Sequence, residues 1–222
     1  MKRTIILAAL LAASAASPSF ADAIPYSPIG TENPATYDFT AAATGNVIGY
    51  FAGGDAGFTE VVGLSINGAA PLTFGLNNQT SAIGQTFDFG AVTAGDSLVF
   101  VVQILSGDAG TPAGTLWFSL NTVPPLPGDN SDGLQHAYSA AYTATDAPDL
   151  GGGIPAGTYV AFEDLTGGGD FDYNDVQFVF TNVAEVVGGV PEPGTLALLG
   201  VGLLTLGLAR RRNKMRKRIA VT

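Results

Sequence analysis

The chain has no cysteine, one histidine and one tryptophan among its 222 residues. The absence of thiols excludes disulfides, thiolate chemistry and cysteine-bound metals, so stability must come from a core or from ions. With His136 as the sole histidine, metal sites built on two imidazoles are excluded as well. Basic residues are missing from most of the chain: no Lys or Arg lies between Arg3 and Arg210, whereas all 19 Asp and Glu lie between Asp22 and Glu192. That stretch therefore has nothing but His136 to oppose its carboxylates. Such a field excludes nucleic acid as a partner, and its self-repulsion calls for condensed cations, hence a salty or divalent-rich exterior. Acidity as a plain solubility device is the competing reading.

What is present points to strands. Thirty Gly, 13 Pro and only 13% charged residues, with many Thr, Val and Phe, suit short strands joined by tight turns. Period-two apolar runs recur at 46–51, 59–66, 72–76, 97–105, 116–120, 135–142, 158–164 and 176–182, separated by turn signals such as Asn67-Gly68 and Gly107-Asp108. The expected fold is all-β, a jelly-roll-like antiparallel β-sandwich over residues 22–187 with neither internal repeat nor helical periodicity. Residues 123–133, VPPLPGDNSDG, read either as a linker between two halves or as a functional loop.

Both ends read as targeting segments. Residues 1–21 carry Lys2 and Arg3, an apolar run from Ile5, and small residues before the bond after Ala21. This is the pattern of a signal peptide cut by signal peptidase after Ala21, with Ala23 as the alternative; the run is too short to span a bilayer comfortably. Residues 188–218 hold Pro191, Glu192 and Pro193, an apolar run at 195–209, then Arg210, Arg211 and Arg212 and further bases to Arg218. An apolar run of this length is a marginal, short transmembrane helix, and the arginines would stay cytoplasmic and stop transfer.

The order of these three parts closely resembles the PEP-CTERM sorting signal. The resemblance implies that an exosortase cleaves near Pro191, Glu192 and Pro193, making these processing residues, and that the product is released or passed to the cell surface. It further implies a Gram-negative host that makes extracellular polysaccharide. The membrane is then a partner only through the C-terminal helix before processing.

The strongest chemical signal in the domain is GTYVAFEDLTGGGDFDYNDVQFVF at 157–180, two strands flanking an acidic, glycine-rich loop. If the first strand is regular, Glu163 and Asp164 point to opposite faces and cannot enter one site. Across the loop, Asp170, Asp172, Asn174 and Asp175 offer oxygens at short spacing, while Gly167, Gly168 and Gly169 let the backbone turn tightly. Hard cations want six to eight oxygens, so Ca²⁺ is the natural candidate, held by Glu163, Asp164, Asp170, Asp172, Asn174 and Asp175. An EF-hand is excluded, because the central Gly is missing and the twelfth position counted from Asp170 is Thr181. The alternative is that these side chains cap a hairpin through backbone N–H groups. Carboxylates packed without Lys or Arg repel, and a cation answers that repulsion where a cap does not.

The string FEDL, a glycine-rich gap and DxDYNDVxF at 162–178 also resembles the domain of unknown function 4114, a family of secreted and adhesin-like bacterial proteins. The likeness extends back through Ser131, Asp132, Gly133 and His136, covering about 124–183. Phe171 stands where an Asn is frequent in that family, which removes one oxygen ligand. The resemblance implies no chemistry of its own.

Catalysis finds little support in the pattern. A Ser-His-Asp triad would have to use His136, and nothing resembles a nucleophile elbow. A glycosidase needs only two carboxylates, but Trp117 reads as a core residue rather than a sugar platform. The expected function is a non-enzymatic, exported envelope or extracellular-matrix protein binding Ca²⁺ through the acidic loop. A Ca²⁺-dependent carbohydrate-binding module for exopolysaccharide is the alternative, and a polysaccharide-active enzyme the third.

Overall fold

Large apolar residues alternate with polar ones through most of the domain, and each such run becomes a strand with one face inward. The computed structural model describes residues 24–69, 72–120, 130–143 and 150–188. Eleven strands lie among them: β1 Thr36–Ala41, β2 Gly45–Gly53, β3 Thr59–Ile66, β4 Thr73–Asn77, β5 Thr86–Val92, β6 Ser97–Ser106, β7 Leu116–Phe118, β8 Ala137–Tyr142, β9 Gly157–Phe162, β10 Val176–Thr181 and β11 Val183–Gly188. The described residues contain no helix. The expected signal peptide with Ala21, the apolar run at 195–209, Pro191, Glu192, Pro193, Arg210, Arg211 and Arg212 all lie outside them.

All pairings are antiparallel. One sheet runs β11-β1-β6-β3-β4, with β7 also on β6; the other runs β5-β2-β10-β9-β8. One apolar cluster draws on both: Phe39, Val62, Leu64, Phe100 and Trp117 from the first sheet, and Val47, Phe89, Val160, Phe178 and Phe180 from the second. Phe100 and Phe180 stack across it with ring centroids 4.1 Å apart. The outer face of the second sheet is buried as well. There Tyr138, Tyr159 and Ala161 pack with Tyr26, Ile154 and Tyr173 from flanking segments. Burial on both faces explains why β9 reads as almost continuously apolar.

All eight runs expected from periodicity are strands. Three strands, β1, β5 and β11, were not anticipated. The TYDFTA of β1 does alternate, burying Tyr37, Phe39 and Ala41, but the run is short. In β5 the alternation breaks at Gly90, whose φ of +110° accompanies a register shift against β2. A two-halves organisation is excluded by topology: β1 pairs with β11 and β2 with β10, so the first and last strands interleave. Residues 123–129 of the proposed linker lie outside the described residues. Asn130, immediately after them, is buried, and its side chain bridges both backbone groups of Phe118.

Candidate cation site

The acidic loop joins β9 to β10, whose register Val176↔Phe162 brings its two ends together. The strand geometry continues one residue past β9, since the Glu163 N–H donates to the His136 carbonyl at 2.9 Å. Successive side chains therefore diverge. Glu163 turns toward the loop and Asp164 toward the end of the core, as alternation requires. Both are buried, with Glu163 at 0% exposure.

Five loop residues adopt positive φ: Gly167, Gly168, Gly169, Phe171 and Tyr173. This conformation disfavours bulky side chains, so Phe171 and Tyr173 are held there by their surroundings. Tyr173 is buried, its hydroxyl donating to the Gln135 carbonyl at 2.8 Å and accepting the Asn33 N–H at 2.9 Å. The tight turn brings carboxylate oxygens of Glu163, Asp170 and Asp172 all within 4.8 Å of one another. Glu163 Oε1 accepts the Tyr173 N–H at 2.6 Å. Its Oε2 is buried without a hydrogen-bond partner, and lies where a Cβ on Gly169 would come within 2.8 Å of it. Glycine at 169 thus keeps open the space in front of that oxygen.

The charges respond to this crowding. Burial first, then the carboxylates of Asp175, Asp170 and Asp172, push Glu163 up to about 8 against the opposing Tyr173 N–H. Asp172 is raised by burial and by Asp170 and Asp55, with the Asn174 N–H pulling the other way. Three carboxylates brought this close, one of them with an orphaned oxygen, fit a hard cation, which takes oxygen ligands from carboxylates, backbone and water.

The remaining expected ligands are placed differently. Asn174 is tied to Asp172, donating its N–H to Oδ1 at 3.1 Å and its amide to Oδ2 at 2.5 Å. Asp175 accepts the Asp164 N–H at 2.9 Å. Asp172 and Asp175 thus act as local caps of backbone N–H groups, of the kind a hairpin uses, and Asp172 belongs at once to the caps and to the convergence at 163, 170 and 172. Asp132 adds a cap from outside the loop, accepting the Gly167 N–H at 2.9 Å. Burial works to raise Asp132, but that bond, His136 and the Leu134 N–H prevail and lower it. His136 lies just before β8, with Nδ1 on the Glu163 carbonyl at 3.0 Å and Nε2 on Asp132 at 2.9 Å. It stacks on Trp117, with centroids 3.7 Å apart. Trp117 is a core residue, and its indole N–H donates to the Asp164 carbonyl at 2.7 Å.

Sequence reasoning missed Glu60. It lies on β3, on the face that carries Val62 and Leu64 into the core, and is 0% exposed. Its carboxyl stands against that of Asp164, a side-chain hydrogen bond that needs a proton between the two, and no other donor reaches its oxygens. Burial, Asp164 and then Asp175 push it up to about 10. Asp175 itself is pushed up to about 7 by burial, against the Asp164 N–H, and by Asp164, Asp172 and Asp170. The signal was legible: an acid at an inward position of a period-two run.

Residues 189–212 match the family model of the PEP-CTERM protein-sorting motif. The chain thus carries the signal that marks a protein for export and exosortase processing at the cell envelope or surface. The matched region does not include the acidic loop, so it lends nothing to the likeness of 162–178 to the domain of unknown function 4114. No curated protein and no solved structure matches the chain.

Proposed function

We propose that the protein is a non-enzymatic, Ca²⁺-binding β-sandwich, exported and sorted by an exosortase to serve in the envelope or extracellular matrix. The observation that carries the metal reading is the convergence of Glu163, Asp170 and Asp172 within 4.8 Å, together with a buried Glu163 oxygen that has no partner. A domain without Lys or Arg has no side-chain cation other than His136 to neutralise that convergence. An exterior rich in divalent ions supplies one. In this reading the ion locks the β9–β10 loop and, through Tyr173 and Asp132, the segments packed on it. The stable fold is then conditional on export.

Thermal unfolding in EDTA, excess CaCl₂, and matched MgCl₂ and NaCl tests this. Ligand at about 100 times Kd stabilises the native state by roughly 2.7 kcal/mol. For a domain of this size that is a rise of about 5–10 °C. Ca²⁺ should give this rise well beyond Mg²⁺ or NaCl, and Asp172→Asn should remove most of it. Equal effects of the three salts would reduce the loop to a hairpin cap.

A Ca²⁺-dependent carbohydrate-binding module is the second reading, favoured by the exposure of Asp170 beside the buried Glu163, which leaves an ion open on one side to sugar hydroxyls. Trp117 at 1% exposure offers no ring face to a sugar, so recognition would run through the ion. Binding to exopolysaccharide that disappears in EDTA distinguishes this reading from the first.

A further inference from the structure

The chain leaves the sandwich at the end that carries the acidic loop. β10 runs away from the loop, from Val176 to Thr181, and after Asn182 the chain turns back. β11 starts at Val183, whose carbonyl accepts the Thr158 hydroxyl at 3.1 Å, and ends at Gly188, which pairs with Thr36. Thr36 lies three residues from Asn33, whose N–H donates to the Tyr173 hydroxyl of the loop. Gly188 therefore stands at the loop end, and the sorting motif begins at the next residue. Only residues 189–194 separate Gly188 from the apolar run that starts at Thr195, and a stretch of that length reaches at most about 20 Å. In an anchored precursor the loop end is thus the end nearest the bilayer.

The exposed apolar side chains lie at the same end. Among the described residues four large ones are exposed: Ile29, Ile83, Leu105 and Leu165. Leu165 belongs to the loop itself, and Ile29 precedes Gly30, whose N–H donates to the Phe171 carbonyl at 3.3 Å. Leu105 sits between Ile104 and Ser106, which pair with Glu60 and Thr59. The turn that follows it is tied to the loop, Thr111 Oγ1 accepting the Thr166 N–H at 2.8 Å. Ile83 adjoins Gly84, whose N–H donates to the Phe51 carbonyl near the close of β2, where Gly53 pairs with Gln177. Scattered exposed apolar residues need no explanation, but their confinement to one end around a group of carboxylates does.

Anionic lipids hold a bilayer surface negative and would repel bare carboxylates. An ion in the loop reverses this locally. Held by Glu163, Asp170 and Asp172 and open on the side of the exposed Asp170, it can take phosphate oxygens in place of water. Apolar side chains beside it then reach the boundary between headgroups and acyl chains, where their burial is favourable. We propose that the acidic-loop end is a docking face for the bilayer that holds the chain's own anchor, the loop ion bridging to lipid phosphate while Ile29, Leu105 and Leu165 enter the interface. This rests on the Ca²⁺ reading above and on the anchor that the sorting motif implies, and it adds to them a partner and an orientation. Docking holds Pro191, Glu192 and Pro193 against the membrane surface until the precursor is cut.

Trp117, the sole tryptophan, reports from this end, its indole N–H being bonded to the Asp164 carbonyl. The full-length chain is reconstituted through its anchor in phosphatidylglycerol or phosphatidylcholine vesicles that contain a dansyl lipid, and energy transfer from Trp117 is read in CaCl₂ and in EDTA. In phosphatidylglycerol Ca²⁺ should raise the transfer at least about twofold over EDTA, and far less in phosphatidylcholine, which has no net charge. Joint replacement Ile29→Asn and Leu105→Asn should lose most of that gain yet keep the Ca²⁺-dependent rise in melting, because neither side chain offers the ion an oxygen. Should Leu105→Asn disturb β6, Ile29→Asn alone should lose part of the gain and is read in the same way. Asp172→Asn should lose both the gain and the rise. Transfer that is equal in Ca²⁺ and EDTA, beside a normal rise in melting, overturns docking and leaves the ion in place. A gain that survives in Asp172→Asn shows Ca²⁺ acting on the lipids alone and overturns docking as well. If Ca²⁺ changes neither transfer nor melting, the ion reading falls and docking with it.

Discussion

The Tyr173 N–H donates to Glu163 Oε1 at 2.6 Å while the neighbouring Oε2 faces Gly169 with no partner. One oxygen of this buried carboxylate fixes the loop and the other has no donor from the protein. A methyl group at 169 would intrude on the second oxygen, its Cβ only 2.8 Å away, at a φ of +55°. Gly169→Ala should therefore weaken Ca²⁺ binding by at least about tenfold, whereas the backbone strain lowers stability in EDTA by only about 1 kcal/mol. Calorimetric titration beside EDTA melts separates the two effects; an unchanged affinity would show that Oε2 does not face the ion.

Stability without metal should fall as pH rises. Burial and neighbouring carboxylates push Glu163 up to about 8 and Asp175 up to about 7, from ordinary values of 4.5 and 3.8. A carboxyl whose pKa is raised by folding favours the native state while protonated. Its contribution is full below the unfolded value and is lost as pH climbs through the folded one. In EDTA the unfolding midpoint should drop between about pH 5 and 9. With excess Ca²⁺ the decline should flatten or reverse, because the ion binds the deprotonated form and its affinity grows over the same range. A midpoint in EDTA that rises through this window would contradict the raised carboxyls.

Tyr173→Phe removes a hydroxyl that bridges Asn33 and Gln135 and leaves both backbone groups buried without that partner. The expected loss is about 1–3 kcal/mol, measured by denaturant unfolding. Ca²⁺ affinity should change far less, since the loop is tied to Glu163 through the Tyr173 backbone N–H and not through the ring.

Much of this arrangement was legible in the chain. Strict alternation placed Glu163 and Asp164 on opposite faces, and the glycine run with Asp170 and Asp172 announced a tight oxygen-rich loop. Which acids converge was not legible. Asn174 and Asp175 share the spacing of the triad, but Asn174 is turned onto Asp172 and Asp175 onto the Asp164 N–H, in a loop bent by positive φ at Phe171 and Tyr173. Glu60 lies on β3, far away in sequence, and only the packing of one sheet on the other brings it to Asp164. The strand β5 hid for a local reason, the break at Gly90.

Sorting offers a test independent of the metal. The match at 189–212 includes Pro191, Glu192 and Pro193 and ends at Arg212. Replacing Pro191, Glu192 and Pro193 by alanine leaves the apolar run and the arginines intact, so the chain should still enter the membrane and stop there. Removing Arg210, Arg211 and Arg212 instead weakens the stop while sparing the tripeptide. In a host that has an exosortase, the tripeptide variant should accumulate as an unprocessed, membrane-bound precursor. The wild type should appear as a shorter product at the surface or in the medium, the two forms being resolved by fractionation and intact mass. Both should show the same Ca²⁺-dependent melting, because β11 ends at Gly188, before the motif begins. If the tripeptide variant is processed like the wild type, cleavage does not depend on Pro-Glu-Pro, and the apolar run with its arginines acts as an ordinary anchor.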